Sequence, residues 1–206
     1  NIHNVPIFKN NLNEIKTIVY QGTNYIKEDL IIDNPVIVKS GTKFILSENV
    51  SMIFKNKSLF LGEDDNKIIF KEANQNTKWG TISIEGDNSI LKNLDVSGGF
   101  GDIVDNKFYT SMISIRNVEN VLLENINFMQ KYTSDIPPNY DDLLHVIYSS
   151  NIVLKNSNFF NSIGDALDVD VSDIQIQNCY FEKSGNDSID FMSSEGKILN
   201  TKINSS

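Results

Sequence analysis

Cysteine, tryptophan and arginine occur once each in this 206-residue chain, and proline four times. A lone thiol, Cys179, excludes an internal disulfide, so the core and the hydrogen bonds must hold the fold; it leaves the compartment open. With Arg116 the sole arginine and a net charge of −9, the basic footprint that accompanies phosphate-backbone binding is missing. Nucleic acid is therefore not an expected partner. No apolar run approaches the ~18 residues needed to cross a bilayer, so no transmembrane helix is expected. There is no heptad, and the apolar runs are too short for ordinary helices. The sequence begins at Asn1 with neither Met nor a signal-like stretch, which reads as a processed or excised form without targeting information.

What remains is rich in short, β-prone runs. Hydrophobic residues make up 40% of the chain and asparagine 28 positions. From Tyr25 to Lys71 the runs are Leu30-Ile-Ile, Val36-Ile-Val, Lys43-Phe-Ile-Leu, Ser51-Met-Ile-Phe, Ser58-Leu-Phe-Leu and Lys67-Ile-Ile-Phe, each bounded by Asn, Asp, Gly, Pro or Ser. Such punctuation predicts an all-β chain. Residues 1–24 carry little periodicity and are expected to form an irregular N-terminal lead-in or cap, followed by one elongated domain over 25–206.

The C-terminal half repeats. Gly164-Asp-Ala-Leu-Asp-Val-Asp170 returns as Gly185-Asn-Asp-Ser-Ile-Asp-Phe191, with Asp165, Leu167 and Asp168 each 22 residues before Asp187, Ile189 and Asp190. Asn93, Asn125, Asn156, Asn178 and Asn200 form one column, spaced by 32, 31, 22 and 22 residues. Two residues before them stand Leu91, Leu123, Leu154, Ile176 and Ile198; three after stand Val96, Phe128, Phe159, Phe181 and Ile203. A period of this length is one coil of a stacked array, with inward apolar columns and an Asn at each corner, where the left-handed backbone is tolerated. Stacked about 4.8 Å apart, the amides form a ladder and the rings an internal stack.

This column resembles the right-handed parallel β-helix, or pectin-lyase-like, superfamily, with its asparagine ladder and aromatic/aliphatic stacks. The resemblance covers most of residues 25–206 and is strongest over 79–206. It is similar in general look to the β-helix segments of bacterial surface proteins, including those attached to spore-coat-protein-H-like kinase domains. The last strand edge at Ser206 has no visible cap, so the stack is expected to continue in a longer protein, or to associate end to end if it is not monomeric.

The longer spacings mark insertions at Ser97–Met112 and Gln130–Asp141, both after the aromatic column. The strands that follow read Ile113-Ser-Ile-Arg116, Leu144-His-Val-Ile147, Leu167-Asp-Val-Asp170 and Ile189-Asp-Phe-Met192. With the first and third positions inward, Ser114, His145, Asp168 and Asp190 form one outward column and Arg116, Ile147, Asp170 and Met192 the next. Two bare carboxylates about 5 Å apart repel by roughly 3 kcal/mol at an effective dielectric of 20. A bound cation such as calcium, one retained proton, or donors from the backbone and His145 would each relieve this.

These readings nominate Asp168, Asp190, His145 and Asp170 as catalytic residues, and Arg116, Tyr148 and Tyr140 as substrate contacts. Asp165, Asp168, Asp187 and Asp190 are the candidate calcium ligands. Turn residues and solvated surface are the plainer accounts, especially for Asp142, Asp165 and Asp187. Trp79 is expected to plug or cover a coil, and Cys179 to be inert in the core.

The resemblance implies lyases, hydrolases or epimerases of acidic polysaccharides, working on the outer face of the strand after the longest turns, in a secreted or cell-surface protein. The Gly-His-Gly and Arg-Ile-Lys motifs of polygalacturonases are absent, and fold alone does not confer activity. Two functions are carried forward: a lyase or hydrolase of acidic polysaccharide, and a non-catalytic cell-surface spacer or adhesion module that binds glycan or calcium.

Overall fold

A computed structural model describes residues 16–75, 77–131 and 142–204. Among these described residues the strands wind into seven complete coils and two strands of an eighth, stacked in parallel on three faces. The first face holds Ile18–Tyr20, Val36–Lys39, Ser58–Leu61, Ser150–Lys155, Asp173–Gln177 and Glu195–Leu199. The second holds Thr23–Ile26, Lys43–Leu46, Ile68–Glu72, Asn158–Phe160, Tyr180–Glu182 and Lys202–Asn204. Two longer strands, Ile90–Ser97 and Glu119–Met129, run through both faces. The third face is a separate sheet of Leu30–Ile32, Met52–Phe54, Ile82–Ile84, Ser111–Arg116, Asp142–Ile147, Leu167–Asp170 and Asp190–Met192.

The expected register is the observed one. Leu91, Leu123, Leu154, Ile176 and Ile198 pair in succession, as do Val96, Phe128, Phe159, Phe181 and Ile203. The alternation of buried and less buried positions along each strand follows from the period-2 pleat, which sends every second side chain into the tube. Phe128, Phe159 and Phe181 stack with centroids 4.5 Å apart and planes tilted by 10° and 8°. Phe44 and Phe70 repeat the arrangement at 4.5 Å, and Val96 separates the two stacks. Each ring pair adds about 0.5–1.5 kcal/mol beyond the area it buries.

The corners are made by left-handed residues. Asn93, Asn125, Asn156, Asn178 and Asn200 all have φ between 48° and 57°. The Asn125 amide donates to Asn93 Oδ1, Asn178 Nδ2 donates to Asn156 Oδ1 at 3.1 Å, and Asn93 Nδ2 caps the Gly62 carbonyl at 2.8 Å. A second ladder, Asn88, Asn120 and Asn151, turns the chain from third face to first, and a third runs outside the second face through Asp95, Asn127 and Asn158. Hydroxyls extend the scheme inside the corner: Ser172 Oγ accepts the Ser149 N–H at 2.9 Å and Ser194 Oγ the Ser172 N–H at 3.0 Å. Buried Cys179 occupies such a position above Ser157, its thiol donating to the Gln177 carbonyl.

The coils begin earlier than expected. Ile18–Tyr20 lies in the stretch 1–24 read as an irregular cap and Thr23–Ile26 begins within it, yet both pair in parallel with the second coil. Only three or four residues each, they lack the length for periodicity to show. Trp79 is buried where the second face turns into the third; its indole donates to the Ser97 carbonyl at 2.8 Å and lies against Gly99. No helix among the described residues is long and apolar enough to cross a membrane.

Candidate functional site

The insertion at Ser97–Met112 forms an antiparallel hairpin, Asp102–Val104 with Lys107–Tyr109, folded against the outside of the third face. Val104 and Tyr109 bury Ile53 beneath them. Polar anchors fix its position: Ser51 Oγ donates to Asp102 Oδ2 at 2.7 Å, and the Tyr109 hydroxyl donates to Glu85 Oε1 at 2.7 Å. Lys55 and Lys107 both bind Glu85 Oε2. Burial raises the Glu85 pKa, but the hydrogen bonds of Lys55 and Tyr109 and the charges of Lys55 and Lys107 outweigh it, so the group sits below the usual carboxylate range. Burial and the Glu85 carboxylate push the Tyr109 phenol upward.

The outward column therefore has a roofed and an open end. Ser83, Ser114, His145, Asp168 and Asp190 stack in register on successive coils. Ser83 and Ser114 are fully buried, His145 is 5% exposed, and Asp168 and Asp190 are partly open. The column expected on the surface is thus a walled trough whose acidic end meets solvent.

His145 joins the walls. Its Nδ1 lies 3.0 Å from Thr110 Oγ1, and its Nε2 lies 3.2 Å from Asp170 Oδ2 and 3.5 Å from Asp168 Oδ2. Desolvation holds the imidazole below its ordinary pKa; Asp170 acts the other way, and Arg116 adds to the lowering. The neutral ring thus donates from Nε2 to Asp170 and accepts the Thr110 hydroxyl at Nδ1, a tautomer inferred from the partners. Burial, followed by the charges of Asp170, Asp165 and Asp190, raises Asp168 to about 7. Sequence reasoning missed Thr110, which precedes the third-face strand and carries no repeat signal.

The other nominated residues divide. Asp190 stacks directly on Asp168 and acts on it through charge. Arg116 donates to the Phe108 carbonyl at 3.0 Å and lies over the Tyr109 ring, 5.2 Å from its centroid, so it clamps the hairpin. Tyr148 is exposed on the corner beyond the strand end, lining a groove of about 790 Å³ with Asn117, Val171, Asp173 and Glu195. Tyr140 lies outside the described residues.

The calcium quartet is not what gathers. Asp165 Oδ1 accepts the Asp187 N–H at 2.8 Å and Asn186 Nδ2 at 2.9 Å, and Asp142 Oδ1 accepts the Asp165 N–H at 3.4 Å. Asp165 and Asp142 thus serve as corner acceptors. Among the described residues, the ligand-type atoms that converge, within 4.8 Å of one another, belong to Asp142, His145 and Asp168. Asp165 faces the turn of the next coil, where backbone donors meet it first.

The sequence matches no protein-family model and no curated protein. Among solved structures, the chain is similar to the catalytic domain of a GH87 α-1,3-glucanase, with 15% identity and a TM-score of 0.56 over 82% of this chain and 34% of that one. The chain thus spans about a third of that domain. A Parabacteroides merdae protein provisionally described as a glycosyl hydrolase aligns at 15% identity and a TM-score of 0.40 over 83% of each chain. An alginate lyase from Paenibacillus aligns at 14% identity and a TM-score of 0.34, covering 80% of this chain and 70% of that one. At these identities the likeness concerns architecture alone, and with the parallel register and the ladders it establishes that the chain has a parallel β-helix fold.

Proposed function

We propose that this β-helix is directed at carbohydrate and acts on a glycan at the open end of the third-face trough. The observation that carries the reading is one imidazole nitrogen between two carboxylates: His145 Nε2 is 3.2 Å from Asp170 and 3.5 Å from Asp168. These distances cap the separation of the two oxygens at about 7 Å, which leaves room for the roughly 5–5.5 Å of a retaining carboxyl pair. Asp168, raised to about 7, is the proton donor, and Asp170 is the base or nucleophile. Neutral His145 orients Asp170 and relays its proton. The glucanase likeness, with a domain solved in complex with tetrasaccharides, supports a sugar as the ligand class.

The test is product formation from a panel of polyuronates and neutral glycans, scoring reducing ends and unsaturated-uronate absorbance. Turnover by the wild type that Asp168→Asn abolishes, with the coils still folded, is the expected result. Absorbance identifies a lyase, and reducing ends without it a hydrolase. A second reading, a non-catalytic glycan-binding spacer, is favoured by the use of Asp142 and Asp165 as corner acceptors, which makes part of the acidic set structural. Retention of a glycan without cleavage would move the conclusion there.

A further inference from the structure

Three groups of ligand type, from two adjacent coils, converge at the inner end of the acidic trough. One atom from each of Asp142, His145 and Asp168 lies within 4.8 Å of the others. Donors about 2.1 Å from a shared ion stand up to about 4 Å apart, so a contraction of roughly 1 Å completes the set. We propose that Asp142, His145 and Asp168 form a binding site for a divalent transition metal of the zinc class.

The surroundings are those of a coordinating histidine. The ring is almost wholly buried, and Thr110 Oγ1 stands 3.0 Å from Nδ1, leaving Nε2 aimed at the carboxylates. A ligating imidazole commonly donates its second N–H to an oxygen that fixes its orientation; a metal on Nε2 would move the ring proton to Nδ1, where the Thr110 hydroxyl turns from donor to acceptor. Asp142 is held at the start of its strand, where it accepts the Asp165 N–H. Asp168 arrives from the next coil by direct register with His145. Asp170 lies alongside as a further carboxylate.

The donor set also selects the ion. One imidazole nitrogen and two carboxylates, with the solvent side left for water or a glycan oxygen, suit zinc, cobalt or manganese. Calcium takes six to eight oxygens and gains nothing from a buried imidazole. This inference shares its side chains with the proposed glycan site but does not require turnover: a metal-bound Asp168 is a carboxylate with no proton to donate, so the acid role proposed for it belongs to the metal-free chain.

The full chain, stripped with chelator and titrated with Co²⁺, is expected to bind one equivalent with visible d–d absorption. Zn²⁺ should displace it, and a hundredfold excess of Ca²⁺ should not. His145→Gln should weaken Co²⁺ binding more than about 100-fold, beyond the cost of losing an outer hydrogen bond to a ligand, while Asp95→Asn leaves it unchanged. Should the glutamine variant fail to fold, the wild type decides: Co²⁺ must shift or broaden the His145 ring resonances. Absence of a one-to-one complex, an unmoved His145 signal, or displacement by Ca²⁺ would overturn the site. Glycan cleavage without metal binding overturns this inference alone, and metal binding without cleavage overturns only the catalytic reading.

Discussion

His145 Nε2 contacts Asp170 Oδ2 at 3.2 Å, although the strand register sets His145 opposite Asp168 and Asp170 opposite Ile147. The contact is diagonal, so one ring serves two carboxylates of the next coil. Since Asp170 opposes the desolvation that lowers the imidazole, Asp170→Asn should lower the His145 pKa further. An NMR titration of both proteins measures this, and an upward shift would contradict the arrangement.

Asp168 couples the trough to stability. Its pKa is about 7 in the fold against an ordinary value of 3.8, so between those values the folded chain holds more protons than the unfolded one. Stability from this group therefore falls as pH rises from about 4 to about 7. Asp168→Asn should melt higher than the wild type at pH 8, and the gain should shrink as the pH approaches 4. A constant difference across that range would show that Asp168 ionises without cost.

Val171 has φ of 46° at an exposed corner where Asn117 stands two coils earlier. A β-branched residue in that region is strained by about 1–3 kcal/mol, and Asn relieves much of it. Val171→Asn is expected to raise stability by about 1 kcal/mol, read as a higher denaturant midpoint. A lower midpoint would mean that Val171 contributes more through packing than it loses in strain.

Gly99 faces Trp79 so closely that a Cβ would enter the indole ring's van der Waals envelope. Gly99→Ala should cost about 1–3 kcal/mol by overpacking. The loss should appear with a red-shifted tryptophan emission, since the chain has one Trp. An unchanged melting point would show that the corner yields.

The core was legible because a stack repeats its constraints. Every coil needs an apolar residue at the positions of Leu123 and Phe128 and a left-handed residue at Asn125, so the columns survive differences in loop length. Asn88, Asn120 and Asn151 carry the same spacings of 32 and 31 and were open to the same reading. The trough was legible as a column, His145 above Asp168 above Asp190, but not as an enclosure. Its roof is the hairpin, whose contacts between Tyr109 and Glu85 or Asp102 and Ser51 follow no period. For the same reason the hold of Arg116 on Phe108 and Tyr109 was not legible beside its reading as a substrate contact.

Both insertions leave the coil after the second-face strand, and the rungs on either side keep their register, with Phe128 on Val96 and Phe159 on Phe128. Length added there changes the outline of the molecule and leaves its axial rise untouched. The chain behaves as a ruler whose rim can be recut at one edge without moving its graduations. Grafting a different hairpin between Ser97 and Ser111 would accordingly alter what the trough admits while keeping the His145 and Asp168 rungs at their spacing.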